Sequence, residues 1–255
     1  MRKSPLGLVV AAIVCFPTLI SQAAGPAPAA LKTFLEREGF GGSPLQRRFG
    51  NHLFATTLIN GRKTALMIDS GCPITLIDRA SAQKLGLRVE ETKKYGMIVD
   101  CARQMIYVNP KGPSAATTQK LAQFLAGRGF TRIPMRFNPD QHLDIDAAIN
   151  GHPVRLIVDT GAAMTLLSAP VASASGTSLS PLYSAGGEGI GHVQQLTLGG
   201  NLIVNNAEVA VGRVAKMVGA GILGEEYLSW NFAVVDIGGM NLFLRPPESA
   251  PRKNR

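Results

Sequence analysis

Two heptads in this chain share one plan and lie 90 residues apart. Leu66-Met67-Ile68-Asp69-Ser70-Gly71-Cys72 runs into Pro73-Ile74-Thr75-Leu76-Ile77, and Leu156-Ile157-Val158-Asp159-Thr160-Gly161-Ala162 runs into Ala163-Met164-Thr165-Leu166-Leu167. In each, an apolar run that reads as a buried strand ends in Asp, a small hydroxyl residue and Gly. One such tripeptide means little, because Asp-Ser/Thr-Gly is common in plain turns. Two of them, held in register with their surroundings, constrain the fold.

The register extends well upstream. Leu31 to Phe40 aligns with Leu121 to Phe130, Pro44 with Pro134, His52-Leu53 with His142-Leu143, and Ile59-Asn60-Gly61 with Ile149-Asn150-Gly151, all at the same offset of 90 and without a gap. An ungapped match of this length marks an internal duplication. Within each copy the apolar residues at 31, 34 and 35, or 121, 124 and 125, have helical spacing with a glycine stop. Asn-Gly between two apolar runs then predicts a hairpin. Each copy therefore reads as a short amphipathic helix, a strand, a turn and a strand into its Asp.

Beyond the Asp turns the copies diverge. Ala80 to Leu87 suggests a helix in the first. A closing strand pair follows at Met97–Asp100 and Met105–Val108. Its counterpart in the second copy is Ala233–Asp236 and Asn241–Leu244, now at an offset of 136, which exceeds 90 by 46 inserted residues. The insertion holds Gly186-Gly187-Glu188-Gly189-Ile190-Gly191, a strand from Gln195 to Leu198, a Gly199-Gly200 turn, a strand from Ala207 to Val211, and Gly221-Ile222-Leu223-Gly224. Asp100 and Asp236 read as turn residues of the closing hairpins.

Abundant Gly and Pro with few aromatics suit a β-rich globular chain rather than a disordered one. At the N-terminus Arg2 and Lys3 precede an apolar stretch from Leu6 to Ile20, and Ser21-Gln22-Ala23 offers the small residues that signal peptidase requires. The expected organisation is a signal peptide at 1–23, a linker at 24–30, a first and shortened repeat at 31–108, a linker at 109–118, a second and fuller repeat at 119–246, and a basic tail at 247–255. An exported mature chain, periplasmic or secreted, with no membrane span after cleavage follows from this reading. Loss of Arg2 and Lys3 takes the net charge from +9 to +7. The remaining basic residues are scattered without interleaved aromatics, so no nucleic-acid partner is expected. Cys72 and Cys101 remain in the mature chain, as two buried thiols or as a bridge. His52, His142, His152 and His192 are isolated, which gives no metal site, and no cofactor is expected.

These residues resemble a bacterial retropepsin-like aspartic protease of the pepsin superfamily. The resemblance covers roughly 121–245 through the Asp159-Thr160-Gly161-Ala162 turn, the Gly-rich segment and Ile222-Leu223-Gly224, and the first copy resembles a shortened version. It implies a mainly β fold of closed β-barrel units about a pseudo-two-fold cleft. It also implies a catalytic dyad, Asp69 with Asp159, activating a water to hydrolyse a peptide or protein substrate. Ser70, Gly71, Thr160 and Gly161 would brace the loops. Gly187, Glu188, Gly189, Ile190 and Gly191 would form a flap, and Ile222, Leu223 and Gly224 would support the Asp159 loop in a ψ-shaped crossing. The first copy lacks an equivalent of that last element and carries Cys72-Pro73 after Gly71. A homodimer pairing two copies of Asp159 is therefore the alternative to a monomer, and a protease-like binding module without activity is the alternative to an enzyme.

Several motifs point elsewhere and are set aside. Gly219-Ala220-Gly221-Ile222-Leu223-Gly224 fits the dinucleotide fingerprint, but no crossover helix fits after it. Ser168, Ser173, Ser175 and Ser178 stand outside any Gly-x-Ser-x-Gly and read as a flexible loop. Asp144 and Asp146 read as solvent-facing residues ahead of a strand, and His52 and His142 as structural residues at a strand start.

Overall fold

The computed structural model describes residues 28–49, 51–59, 61–71, 96–109, 111–112, 114–180, 189–213 and 219–245. The expected signal peptide, Cys72, the 80–87 helix, Gly187, Glu188 and the basic tail lie outside the described residues.

The first copy comprises α1 (Pro28–Arg37), β1 (Gly41–Arg48), β2 (His52–Ile59), β3 (Arg62–Met67), β4 (Gly96–Asp100) and β5 (Met105–Asn109). The second begins with α2 (Ala115–Ala126), β6 (Thr131–Pro134), β7 (Arg136–Phe137), β8 (Leu143–Ile149) and β9 (His152–Val158). It continues with β10 (Leu166–Ser168), α3 (Ala169–Ala174), β11 (Ser178–Ser180), β12 (Gly189–Leu198) and β13 (Leu202–Gly212). It closes with β14 (Gly221–Leu223), α4 (Glu225–Trp230), β15 (Val234–Asp236) and β16 (Asn241–Leu244).

The duplication is visible in local geometry. Gly39 and Gly129 end the two repeat helices at φ of 87° and 79°, where only glycine escapes a steric penalty. Phe40 N–H and Phe130 N–H then donate back to Leu35 and Leu125 carbonyls at 2.9 and 3.2 Å. In the β8–β9 hairpin Asn150 and Gly151 both have positive φ, as a type I′ turn requires. Helix α2 reaches back to Ala115, capped by Ser114, into the segment expected to be linker.

The two copies share one sheet. Its order β3-β2-β1-β5-β4-β15-β16-β6 places the closing hairpins side by side, so that β4 of the first copy pairs with β15 of the second. In that pairing Val99 faces Val235, its own counterpart at the offset of 136. The pseudo-two-fold axis therefore passes between these two residues. Both helices cover the same face of this sheet: Leu31, Leu35, Leu121 and Leu125 are buried with Ile98, Tyr107, Val234 and Phe243, and Phe34 stacks on Phe124 at 4.4 Å. Burying four leucines and two aromatic rings in one layer supplies the apolar area that fastens the copies together.

The rest of the second copy closes into a barrel. Strands β12, β13, β10, β14, β9 and β8 run in that order, and β12 pairs back with β8. The fold is mainly β, with six strands of the second copy closed into a barrel. Alternation along β8 sends Leu143, Ile145, Ala147 and Ile149 into the barrel core.

Some expectations need correction. Asp144 and Asp146 lie within β8, not ahead of it, and Asp144 is buried, because Arg155 pairs with it from the neighbouring strand and Arg136 lies 3.9 Å away. Asp146 is exposed and pairs with Arg136. The serines at 168–178 do not form a loop: Ser168 ends β10, Ser173 lies in α3, and Ser168 and Ser175 are buried. Pro170 at the start of α3 explains the helix, since its fixed φ suits a first turn.

Candidate active site

Each Asp follows a buried strand end, and the chain turns immediately after it. Gly71 N–H donates to Asp69 Oδ1 at 2.9 Å, while Gly161 and Ala162 N–H donate to Asp159 Oδ1 at 2.7 and 2.9 Å. The two turns meet tip to tip. A Cβ on Gly71 would overlap the Asp159 carboxyl, 2.8 Å from Oδ1, and a Cβ on Gly161 would overlap the Asp69 carboxyl, 2.7 Å from Oδ2. Glycine is required at both positions by close approach alone, since neither has positive φ.

The hydroxyl residues lock the turns to each other. Thr160 Oγ1 accepts from Ser70 N–H and donates to the Ile68 carbonyl, both at 3.0 Å. Ser70 Oγ accepts from Thr160 N–H at 3.0 Å and donates to the Val158 carbonyl at 2.8 Å. Four buried hydrogen bonds thus cross between copies in symmetry-related pairs. Every hydroxyl uses its single donor and one acceptor site, so no polar group in the lock is orphaned.

Ile222, Leu223 and Gly224 support the second turn. Strand β14 lies between β9, parallel to it, and β10, antiparallel. Leu223 carbonyl accepts from Asp159 N–H at 3.1 Å, Gly224 N–H donates to Thr165 Oγ1 at 3.0 Å, and Glu225 N–H donates to the Ala162 carbonyl at 2.8 Å. This is the ψ-shaped crossing. It also explains the Gly-x-Gly-x-x-Gly spacing, because side chains at Gly221 and Gly224 would collide with the backbone of residues 164–167.

Of the segment expected to form a flap, the described residues Gly189, Ile190 and Gly191 lie in β12. All three pair with β13, and Ile190 and Gly191 pair also with β11 on the other side. Gly191 leaves room for Val211 and Thr177, whose methyl groups would meet any Cβ there. Across β11 and β12, Ser180 Oγ and His192 Nε2 lie 2.7 Å apart, and His192 Nδ1 lies 3.4 Å from Glu208. The three resemble a hydrolytic triad in order. However, Glu208 is largely exposed, and the set reads as a polar ladder stitching three strands.

Electrostatics distinguish the dyad from other carboxylates. Burial, then the Asp69 charge and a hydrogen bond to Asp69, push Asp159 up to about 7, against the lowering pull of Gly161 and Ala162 N–H. Two close carboxylates cannot readily both ionise, so the pair holds a proton in the acid-to-neutral range. Asp100 and Asp236 are also raised by burial, but each turns inward to its own hairpin: Asp100 to Arg103, Asp236 to Gly239 N–H at 2.8 Å. Among the described residues no group of three His, Cys, Asp or Glu is placed to hold a metal, and no helix is long and apolar enough to cross a membrane. Cys101 is a free, buried thiol.

Four further residues hold the two turns. Arg47 of β1 pairs with buried Glu225 at 2.9 Å and donates to Ser229 Oγ at 2.7 Å. Asn51 Nδ2 donates to the Ala163 carbonyl at 3.2 Å. His142 Nδ1 meets the Gly71 carbonyl. Only the match of His142 with His52 was visible in sequence. Arg47 and Glu225 have no counterparts of like type, so the repeat gave no signal for them, and Asn51 falls opposite another amide, Gln141.

Residues 145–229 match the family model described as "gag-polyprotein putative aspartyl protease", a segment that takes in Asp159, Thr160, Gly161 and Ile222–Gly224. The chain resembles the retropepsin-like aspartic proteases. Among solved structures it is similar to a retropepsin-like aspartic protease from Rickettsia conorii, at 21% identity and a TM-score of 0.35, covering 45% of this chain and 90% of that one. It is similar also to the retroviral protease-like domain of a Leishmania major protein, at 18% identity and 0.33, covering 42% and 98%. A third is an aspartic proteinase from Irpex lacteus, at 14% identity and 0.36, covering 63% and 58%. No curated protein matches the sequence. The family-model match lies wholly within the second copy.

Proposed function

We propose that this chain is an aspartic endopeptidase whose dyad, Asp69 with Asp159, is built within a single molecule. The observation that carries the reading is the reciprocal packing of each Asp against the other copy's glycine, locked by the Ser70 and Thr160 hydroxyls. With the shared proton on Asp159, Asp69 takes a proton from a water held between the carboxyls. The resulting hydroxide-like oxygen adds to the scissile carbonyl carbon. Asp159 gives its proton to the carbonyl oxygen, and a neutral gem-diol forms. Asp69 then passes its proton to the amide nitrogen, the C–N bond breaks, and a gem-diol hydroxyl returns a proton to Asp159. The products are a carboxylic acid and an amine, and the dyad regains its starting state. No covalent intermediate forms.

The substrate class this chemistry implies is a peptide or protein, whose scissile carbonyl would sit over the paired carboxyls. We further propose export of the chain, on the strength of Arg2, Lys3, the apolar run from Leu6 to Ile20, and Ser21-Gln22-Ala23. Peptide cleavage by the mature chain in ¹⁸O-labelled water tests the chemistry. Label in the new carboxyl of the product shows hydrolysis by solvent water, and an acid-quenched chain whose intact mass carries no acyl adduct supports direct attack by that water. A chain that binds extended peptides and leaves them intact is the protease-like binding module instead.

A further inference from the structure

The two Asp turns are not held alike. Behind Asp159 stands β14, whose segment contributes three hydrogen bonds to the 159–165 stretch. Behind Asp69 the sequence offers no apolar-apolar-Gly element. Among the described residues the first turn is restrained from across the axis, where the ring of His142 meets the Gly71 carbonyl two residues after the Asp.

We propose that His142, supplied by the second copy, is a positioning residue that fixes the Asp69 turn for catalysis in place of the missing ψ support. The inference rests on the aspartic-protease reading of the site.

Three observations carry it. First, the His142 ring is buried, and its backbone is fixed on both sides: His142 N–H donates to Asn138 Oδ1 and Asn138 N–H to the His142 carbonyl, both at 2.9 Å. The ring is thus mounted on a closed turn at the start of a barrel strand. Second, the carbonyl it meets belongs to the residue whose N–H holds Asp69 Oδ1 and whose α-carbon packs against Asp159. Rotation of that residue would move both carboxyls. Third, the arrangement is one-sided. His52 is the counterpart of His142 at the offset of 90, yet its Nδ1 is buried with no hydrogen-bond partner among the described residues. The second turn is braced from the first copy by Asn51 on Ala163. Among the described residues the duplicated histidine therefore has a bond to an Asp turn only in the copy whose sequence lacks the apolar-apolar-Gly element.

A carbonyl oxygen only accepts, so His142 Nδ1 must carry the hydrogen. This fixes the tautomer of the neutral ring and makes asparagine the conservative replacement, since its side-chain NH₂ occupies nearly the position of Nδ1–H. His142→Leu keeps bulk and removes the donor.

The test compares wild type, His142→Asn, His142→Leu and His52→Leu in the full mature chain. Three measurements are made: kcat and KM on a peptide substrate, the Asp159 carboxyl titration by ¹³C NMR, and the His142 ring tautomer by ¹⁵N NMR. His142→Leu is expected to lower kcat about 100-fold, the scale of a 1 Å misplacement of a catalytic group. KM should hold, and the Asp159 titration should fall by about one unit as Asp69 withdraws. His142→Asn restores both, and His52→Leu alters neither. Wild-type kcat and an unmoved Asp159 titration in a folded His142→Leu chain would overturn the proposal. Should His142→Leu fail to fold, the wild-type tautomer decides: a neutral ring protonated at Nε2 rather than Nδ1 rules the brace out. If wild type cleaves nothing, the protease reading fails by itself, while the titration and tautomer still report on the brace.

Discussion

Thr160 and Ser70 exchange the same hydrogen bonds in both directions: each hydroxyl accepts the other's backbone N–H at 3.0 Å and donates to the carbonyl two residues before it. That reciprocity fixes the separation of Asp69 and Asp159 through their immediate neighbours. Thr160→Ala would leave Ser70 N–H and the Ile68 carbonyl buried and unpaired. A loss of about 2–4 kcal/mol of stability in urea unfolding is expected, and Ser70→Ala should cost a similar amount. A far smaller cost for either would mean that the two turns are held chiefly by something else.

Gly161→Ala places a methyl group against the Asp69 carboxyl, and Gly71→Ala does the same to Asp159. Neither carboxyl is free to retreat, because its own turn N–H groups hold it. Both variants should fold with lowered melting temperature and lose activity. The Asp159 titration should shift as well, which NMR reads independently of catalysis.

The raised Asp159 sets a pH dependence whose sign follows from linkage. In the range between the ordinary carboxylate value near 4 and its folded value of about 7, the folded chain keeps a proton that the unfolded chain has lost. Stability from this group is therefore complete below pH 4 and declines as pH rises through 7. Asp159→Asn removes the penalty: it should be more stable than wild type at pH 8, by up to about 4 kcal/mol, and equal to it near pH 4. The catalytic form needs the shared proton, so kcat/KM of the wild type should also fall as pH passes through about 7.

Arg47 and Glu225 join β1 of the first copy to the segment just after the ψ crossing. Glu225 is fully buried and raised by desolvation, offset by Ser229 and Arg47. Arg47→Met strands that carboxylate and should cost about 3 kcal/mol, whereas Arg47→Met with Glu225→Met should recover most of the loss. Denaturant titration of the four chains in this cycle checks it, and additive costs would show that the pair is not coupled.

The sequence carried the fold wherever the repeat was in register. The offset of 90 paired Leu31 with Leu121 and Phe34 with Phe124, which meet over one sheet face. The offset of 136 paired Val99 with Val235, which face each other on the axis. The pairing of β4 with β15 was not legible, because strand partners chosen across copies leave no local pattern. Asp144 was misread as exposed because its neutralising partner Arg155 is distant in sequence and adjacent only once β8 and β9 pair. At the site, the glycines and hydroxyls of both turns were readable from the motif alone. Arg47 and Glu225 act between copies through residues that the repeat does not duplicate, so similarity between the halves could not expose them.

A complementation assay tests the central claim most directly. Cleavage is measured for the wild-type mature chain, for Asp69→Asn, for Asp159→Asn, and for an equimolar mixture of the two variants. If the dyad lies within one chain, both variants are inactive and the mixture stays inactive. Activity retained by Asp69→Asn would contradict this and assign the chemistry to Asp159 of two molecules.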